Sequence, residues 1–498
     1  MKTSKMNLAL GVAGAAIAMG QAYPAMATCT TSSSGTTVTC TADDNTDVVN
    51  ATTALLPTAG NLTLAVNSGV EIVQGTVTAD VMPTQLGAVA VNNNGTLGIA
   101  TTGPVGVIYT GDATSAANTF NLNNTGLITG GVSISQTGGA AGVTTSGVIV
   151  GPISIDNQTN SGPVSDGGHT VNGVTTTIIT TTVGGADGSV TVDAGGSAGA
   201  ISVSAGNSAT ATVAGSADSV SLIAAAGTQV ETLTDDGAGT TTDHVVFTAT
   251  GGDALATIAA TGSVANDVTV GGLTSATVVN GGSIGGDVSA NSLTALASGA
   301  TSVDDVTHSV TGTGATAVAT DTSTTTTVGI FGAGGVILGG DALVQNLADA
   351  TIDGAVSSTG LTSAGFENAG TVSGDVNVSS TTTQGSLTVS NSTSTQVSTG
   401  NLLDHHLDYH YAFDTQGGDA SLSNAASGLI GTGSDSSVTV DGLASATLDN
   451  SGTIDAATTV NATGSALNYM TLATPPTPTP PPAFLRRMKR GQASQFQM

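Results

Sequence analysis

The chain has 498 residues and carries 34 Asp and Glu against six Lys and Arg, a formal charge of −28. The six cations are Lys2, Lys5, Arg486, Arg487, Lys489 and Arg490, so no Lys or Arg lies between Met6 and Leu485. Such a body offers no guanidinium or ammonium to a phosphate and repels nucleic acid, and with only 8% charged residues it is not a charge-expanded disordered chain either.

Residues 1–27 read as a secretory signal peptide. Lys2 and Lys5 precede an apolar stretch from Leu8 to Met19, and Ala25-Met26-Ala27 has the small-x-small form of a cleavage site, which predicts a mature chain starting at Thr28. The apolar stretch is shorter than the ~20 residues of a spanning helix.

The only two cysteines, Cys29 and Cys40, follow at once. In an exported protein this spacing reads as a disulfide closing a small loop, which contributes about 2–3 kcal/mol by loop closure. A metal pair lacks His partners nearby, and free thiols lack a reducing compartment.

Thr, Val and Ile favour strands, while the 70 Gly and the Ser-rich runs favour the turns between them. Windows such as Gly188-Ser-Val-Thr-Val-Asp alternate with period two, and Gly recurs too often for helices. No Pro occurs between Val164 and Thr474, as continuous backbone pairing requires.

Two stretches of one β-helix are expected: residues 28–250, with the cysteine loop at the start, and residues 251–474, which hold three related modules. The modules open at Gly251-Gly-Asp-Ala, Gly339-Gly-Asp-Ala and Gly417-Gly-Asp-Ala. Each continues with a Gly-Leu-x-Ser-Ala stretch, at Gly272, Gly360 and Gly442, followed by an Asn at constant spacing, Asn280, Asn368 and Asn450. Constant short spacing inside modules of unequal length means fixed strands and variable loops. Asn-x-Gly recurs earlier at Asn67, Asn93 and Asn124. Asn and Gly tolerate left-handed backbone, and stacked Asn side chains can bond to copies above and below, so these six Asn mark a recurrent corner.

Short strands, variable loops, an aliphatic and Ala-filled interior and 2% aromatics predict an all-β fold, a right-handed parallel β-helix, with a disordered Pro-rich tail over 475–498.

In its Asn368-Ala-Gly-Thr-Val and Asn450-Ser-Gly-Thr-Ile stretches, its Gly/Thr/Ser/Ala richness, its scarcity of cysteine and its Pro-rich segment, the chain resembles the passenger regions of bacterial autotransporter-type surface proteins. The resemblance covers roughly Thr28 to Pro482 and implies a right-handed β-helix at the outer surface of a Gram-negative cell. Such proteins end in a membrane β-barrel, whereas 16 residues follow Pro482, so the expectation is a passenger without its barrel or another export route.

The densest chemistry is Asp404-His-His-Leu-Asp-Tyr-His-Tyr-Ala-Phe-Asp414. As a strand it places Leu407, Tyr409, Tyr411 and Phe413 on one face and His406, Asp408 and His410 on the other, an ordinary polar face over an aromatic patch. The alternatives are an exposed ligand-contact strand and a metal site with His406, Asp408 and His410 as candidate ligands, His406 and Asp408 sharing a metal on a bent strand or with an adjacent coil, or His406 and His410 at i, i+4 on a helix. Asp235-Asp236 and Asp304-Asp305, with His244 and His308 near them, are the carboxylates a glycoside hydrolase would need. The lyase relatives among polysaccharide-cleaving β-helices use Arg or Lys, and the body has neither. Asp253, Asp341 and Asp419 recur once per module, which reads as turn capping, with weak Ca²⁺ binding the alternative.

The expectation is therefore a secreted or surface-displayed non-enzymatic protein without cofactor, serving adhesion, cell contact or biofilm through an extracellular glycan or protein partner. The alternatives are a structural stalk and a carboxylate-based polysaccharide hydrolase. The tail Phe484-Leu-Arg-Arg-Met-Lys-Arg490 reads as a disordered end with a potential contact to an anionic membrane surface.

Overall fold

The computed structural model describes residues 29–473, apart from 32–36, 41–49, 52–61, 69, 73–76, 82–87, 99–105, 112–118, 137, 172–173, 236–240, 296–301, 312–317, 330–336, 381–383, 399–400, 417, 433–435 and 463–469. The signal segment with Ala27 and Thr28, and the tail over 475–498, lie outside the described residues.

The described chain is all strand and no helix, wound as a parallel β-helix with three faces. One coil shows the plan. Asp253–Ile258 forms the first face, Ser263–Val264 the second and Val268–Gly272 the third. The chain then turns back onto the first face as Ser275–Asn280, and the new coil stacks on the old one in register, with Asp253 opposite Ser275, Val264 opposite Ile284 and Val268 opposite Val288. Stacking of this kind builds a 14-stranded first face and a 12-stranded second face. The initial strand of the first face, Cys29–Thr31, is the exception: it runs antiparallel to Thr37–Cys40.

Period-two alternation decides which side chains enter the shaft. In Asp253–Ile258 the inward residues are Ala254, Ala256 and Ile258, and in Val268–Gly272 they are Val268 and Val270. Three faces closing on one another leave a narrow interior, which small aliphatic layers fill. Ala254, Ala276, Ala342, Ala364 and Ala420 form one column, and Val268, Val288, Val356, Val376 and Val438 another. Each fully buried Val or Ile stabilises by about 1.5–3 kcal/mol, and repetition along the stack replaces the bulky centre of a globular core. The largest interior side chains, Tyr109 and Phe120, stack with centroids 4.4 Å apart, and Phe366 is the third.

The modules resolve into pairs of coils. After Gly272, Gly360 and Gly442 the chain regains the first face within a few residues. After the alternate coils it leaves the shaft as an antiparallel arm. Arm I comprises the far end of Ile153–Ser165 with His169–Val171 and Val174–Gly185; arm II is Ala226–Asp235 and Thr241–Gly251. Arm III contains Ser302–Thr311 and Val318–Gly329; arm IV is Gln384–Ser398 and Asn401–Gln416. All four leave from the corner between the third and first faces. They also join in twos: Val174–Gly185 of arm I pairs with Ala226–Asp235 of arm II, and Val318–Gly329 of arm III pairs with Gln384–Ser398 of arm IV. The unequal module lengths lie in these arms. Residue 250 is no break in the shaft, since Ser208–Val213 pairs directly with Asp253–Ile258.

Candidate functional site

Three local devices hold the corners of the shaft, one at the corner between the first and second faces and two at the corner between the third and first faces, from which the arms spring. The first is the Asn column. Asn93 and Asn124 are in register, and Asn280, Asn346, Asn368, Asn424 and Asn450 form a second run at the last position of the first face. Each amide donates from Nδ2 to Oδ1 of the next Asn, at 2.7 Å for Asn93 to Asn124 and 2.8–2.9 Å through the second run. The same Nδ2 groups reach carbonyls on the next coil, such as Asn280 to Thr351 at 3.0 Å. Asn93, Asn124, Asn280, Asn346, Asn368 and Asn424 are buried, and Asn450 ends the column exposed.

Between the two runs the column is occupied by Thr145, Val192, Val213 and Ile258, so the ladder is interrupted rather than continuous. Asn67 is a correction to the repeat: Val66 holds the column position opposite Asn93, and Asn67 lies one residue beyond it, exposed. Asn346 and Asn424 carry no Asn-x-Gly signature because their corners are longer, with Ala350 and Gly428 four residues on. Their spacing from Asp341 and Asp419 was the available signal, since it equals that from Ser275 to Asn280.

The second device is the Gly-Leu-x-Ser-Ala turn. A Cβ at Gly272, Gly360 or Gly442 would fall well inside contact distance of the carbonyl oxygen of Ser275, Ser363 or Ser445. Leu273, Leu361 and Leu443 are buried at the corner. The third device joins the two halves of each pair. Asp253, Asp341 and Asp419 accept through Oδ1 from the hydroxyls of Ser275, Ser363 and Ser445 at 2.7, 2.7 and 2.6 Å, and Thr274 and Thr362 add bonds of 2.6 and 2.5 Å to the first two. These carboxylates cap the following turn. Among the described residues, no three His, Cys, Asp or Glu side chains gather to hold a metal ion.

The histidines fall on the arms. All six His do so: His169 on arm I, His244 on arm II, His308 on arm III, and His405, His406 and His410 on arm IV. His169 lies 3.7 Å from Asp166 Oδ2 in the arm I turn. Backbone N–H groups of Ile178 and Gly168 donate to Asp166 and hold its carboxyl below the usual carboxylate range.

Asn401–Gln416 is an extended strand, which excludes the helical i, i+4 arrangement of His406 and His410. Four residues of extended backbone separate these two by about 13 Å. The residues paired with His406, Asp408 and His410 are Ser394, Ser392 and Ser390 on one side, with Ala473 and Thr471 opposite the latter two on the other. Among the described residues, the register therefore pairs no His, Cys, Asp or Glu with the three metal candidates.

The paired carboxylates are not assembled either. Asp304 and Asp305 are successive residues of one strand and so lie on opposite faces, opposite Thr325 and Thr324. Asp235 is opposite Thr241 and His244 opposite Thr232, which places them on opposite faces as well; Asp236 lies outside the described residues. His308 is paired with Asp321, a juxtaposition that sequence spacing did not reveal.

Cys29 and Cys40 are directly opposed in the antiparallel pair that starts the stack. No protein-family model matches the sequence, and neither a curated protein nor a solved structure matches it.

Proposed function

We propose that this chain is a secreted or surface-displayed, passenger-like protein of a Gram-negative bacterium, non-enzymatic, whose arms make adhesive contacts with an extracellular glycan or protein. The reading rests on one observation: arms leave a single corner at every second coil, and they carry all six His of a body that has no Lys or Arg. Repeated weak contacts along a stiff shaft give avidity without any single strong site. The opposed Cys29 and Cys40 form a disulfide in this reading, consistent with export through the signal peptide.

The uninterrupted stacking also supports a second reading, a stalk that holds other material away from the cell. One experiment separates the two. The full chain and a chain whose four arms are each replaced by a short turn like Gly206-Asn207 are tested for binding to whole cells and to immobilised extracellular polysaccharide. Binding lost with the arms supports adhesion. Equal binding by the armless shaft, or none by either chain, overturns it in favour of the stalk.

A further inference from the structure

All three faces of the shaft end on the same coil. Ser445–Asn450, Thr453–Ile454 and Ala457–Ala462 pair with the coil below, and among the described residues no strand follows them on any face. The inward residues register the open end. Ala420, Leu422, Ile430 and Val440 are buried, whereas Ala446, Leu448 and Ile454 at the matching positions of the last coil are only partly buried and Val460 is 41% exposed. Asn450 ends its column exposed at the same place. Three unpaired strand edges around an apolar plate invite pairing with another chain, which native sheets prevent by covering or charging such edges.

The chain holds a segment whose chemistry matches this end. Every cation beyond Lys5 lies in its tail, at Arg486, Arg487, Lys489 and Arg490, beside Phe484, Leu485 and Met488. At helical spacing Phe484, Leu485 and Met488 fall on one side and Arg486, Arg487 and Arg490 on the other. The last coil offers the complement: an apolar plate, with Asp449 and Asp455 exposed at its rim.

Attraction to an acidic body does not by itself choose a place on it, but reach does. Met470–Ala473 pairs with arm IV, with Ala473 opposite Asp408. From Asp408 to Asp419, where the first face resumes, extended backbone covers about 36 Å. Residues 474–483 cover about 31 Å at the polyproline rise, and residues 484–490 add about 10 Å as a helix. That brings the tail back to the last coils and no further, since a 14-stranded face is about 62 Å long at 4.8 Å per step.

We infer that residues 483–490 dock on the last coil of their own chain, with Phe484, Leu485 and Met488 over Leu448, Ile454 and Val460 and the cations toward Asp449 and Asp455. The docked tail covers the open end of the shaft, and its release exposes three strand edges to a second chain.

Trypsin reads this directly, because it cuts after Lys and Arg and every such site beyond Lys5 is in the tail. When opening is fast, cleavage follows the population of the open form. The tail of the full chain is expected to be cut at least about tenfold more slowly than a peptide of residues 474–498, with the same protection at every protein concentration. Val460→Asp is expected to remove most of that protection, and Val150→Asp, at an exposed aliphatic beside the second face far from this end, to leave it intact. Phe484→Ser combined with Leu485→Ser, measured against a peptide with the same changes, lies outside the shaft and so preserves the test if Val460→Asp disturbs the last coil, which circular dichroism reports. A tail cut as fast as the peptide overturns the inference, as does protection indifferent to Val460→Asp and to the tail substitutions, or lost equally in Val150→Asp. Protection that grows with protein concentration overturns it in favour of a second copy, and protection seen only with vesicles of equal parts phosphatidylcholine and phosphatidylglycerol overturns it in favour of a membrane.

Discussion

Asn368 donates from Nδ2 to Asn424 Oδ1 at 2.8 Å while its own Oδ1 accepts from Asn346 Nδ2 at 2.8 Å, and the residue is buried. Asn368→Ala removes both bonds and leaves Asn346 Nδ2 and Asn424 Oδ1 each without its Asn368 partner. An unmade buried hydrogen bond costs about 1–3 kcal/mol. Denaturant unfolding of Asn368→Ala should therefore show a loss of ~2–4 kcal/mol, whereas Asn67→Ala, exposed and outside the column, should lie within ~0.5 kcal/mol of the parent.

Gly360→Ala tests the tight turn. The added Cβ collides with the carbonyl of Ser363, so the backbone must shift at the corner where Leu361 is buried. A loss of ~2 kcal/mol or more is expected in thermal or denaturant unfolding. Gly195→Ala is the comparison: φ is +85° there but nothing lies within 4 Å, so the cost should be only the ~1 kcal/mol of left-handed backbone.

Much of this architecture was legible because strand alternation and corner chemistry are local. Gly188-Ser-Val-Thr-Val and the Gly-Leu-x-Ser-Ala stretches name their own inward residues and turns, and the Asp residues of the Gly-Gly-Asp starts do cap turns. What was not legible depends on contacts between distant segments. The pairing of Val174–Gly185 with Ala226–Asp235 joins arms separated by two coils of shaft, and no local pattern specifies it. The same holds for His406 and Asp408: alternation placed them on one face, but only the register shows that their neighbours are serines. Asn346 and Asn424 escaped because their corners are longer, with Ala350 and Gly428 four residues on instead of a Gly two residues on.

Tyr109 predicts an alkaline limit. Burial pushes its phenol up to about 12 from the ordinary phenol value of 10.0, and its buried Oη has no hydrogen-bond partner among the described residues. The raised folded value means that stability is fully present below about pH 10 and is lost as pH rises toward 12, because only the unfolded chain ionises readily there. A two-unit shift corresponds to at most about 2.7 kcal/mol at the upper end. Tyr109→Phe should remove this part of the alkaline loss and, by deleting an unpartnered hydroxyl, raise stability at neutral pH by ~1 kcal/mol. Equilibrium unfolding at pH 7, 10 and 11.5 checks both.

Excision of a whole coil pair tests whether the pair is the structural unit. Gly251-Gly-Asp-Ala-Leu and Gly339-Gly-Asp-Ala-Leu are identical, so deleting residues 251–338 restores the same junction after arm II. Ser208–Val213 then meets Asp341–Asn346 in place of Asp253–Ile258, with Ala209 and Ala211 still opposite inward-facing Ala342 and Val344. The Asp341 cap on Ser363 and the column from Asn346 to Asn450 are untouched. Arm IV loses its partner strand Val318–Gly329, so the unit should fold only if coil stacking, not arm pairing, holds the shaft. Because stacked coils interact chiefly with their neighbours, the shortened chain should keep the strand signal per residue in circular dichroism, and its denaturant m-value should fall by roughly the fraction of surface removed. A chain that collapses to an unfolded or aggregated state on this deletion would show that the arms are part of the fold rather than additions to it.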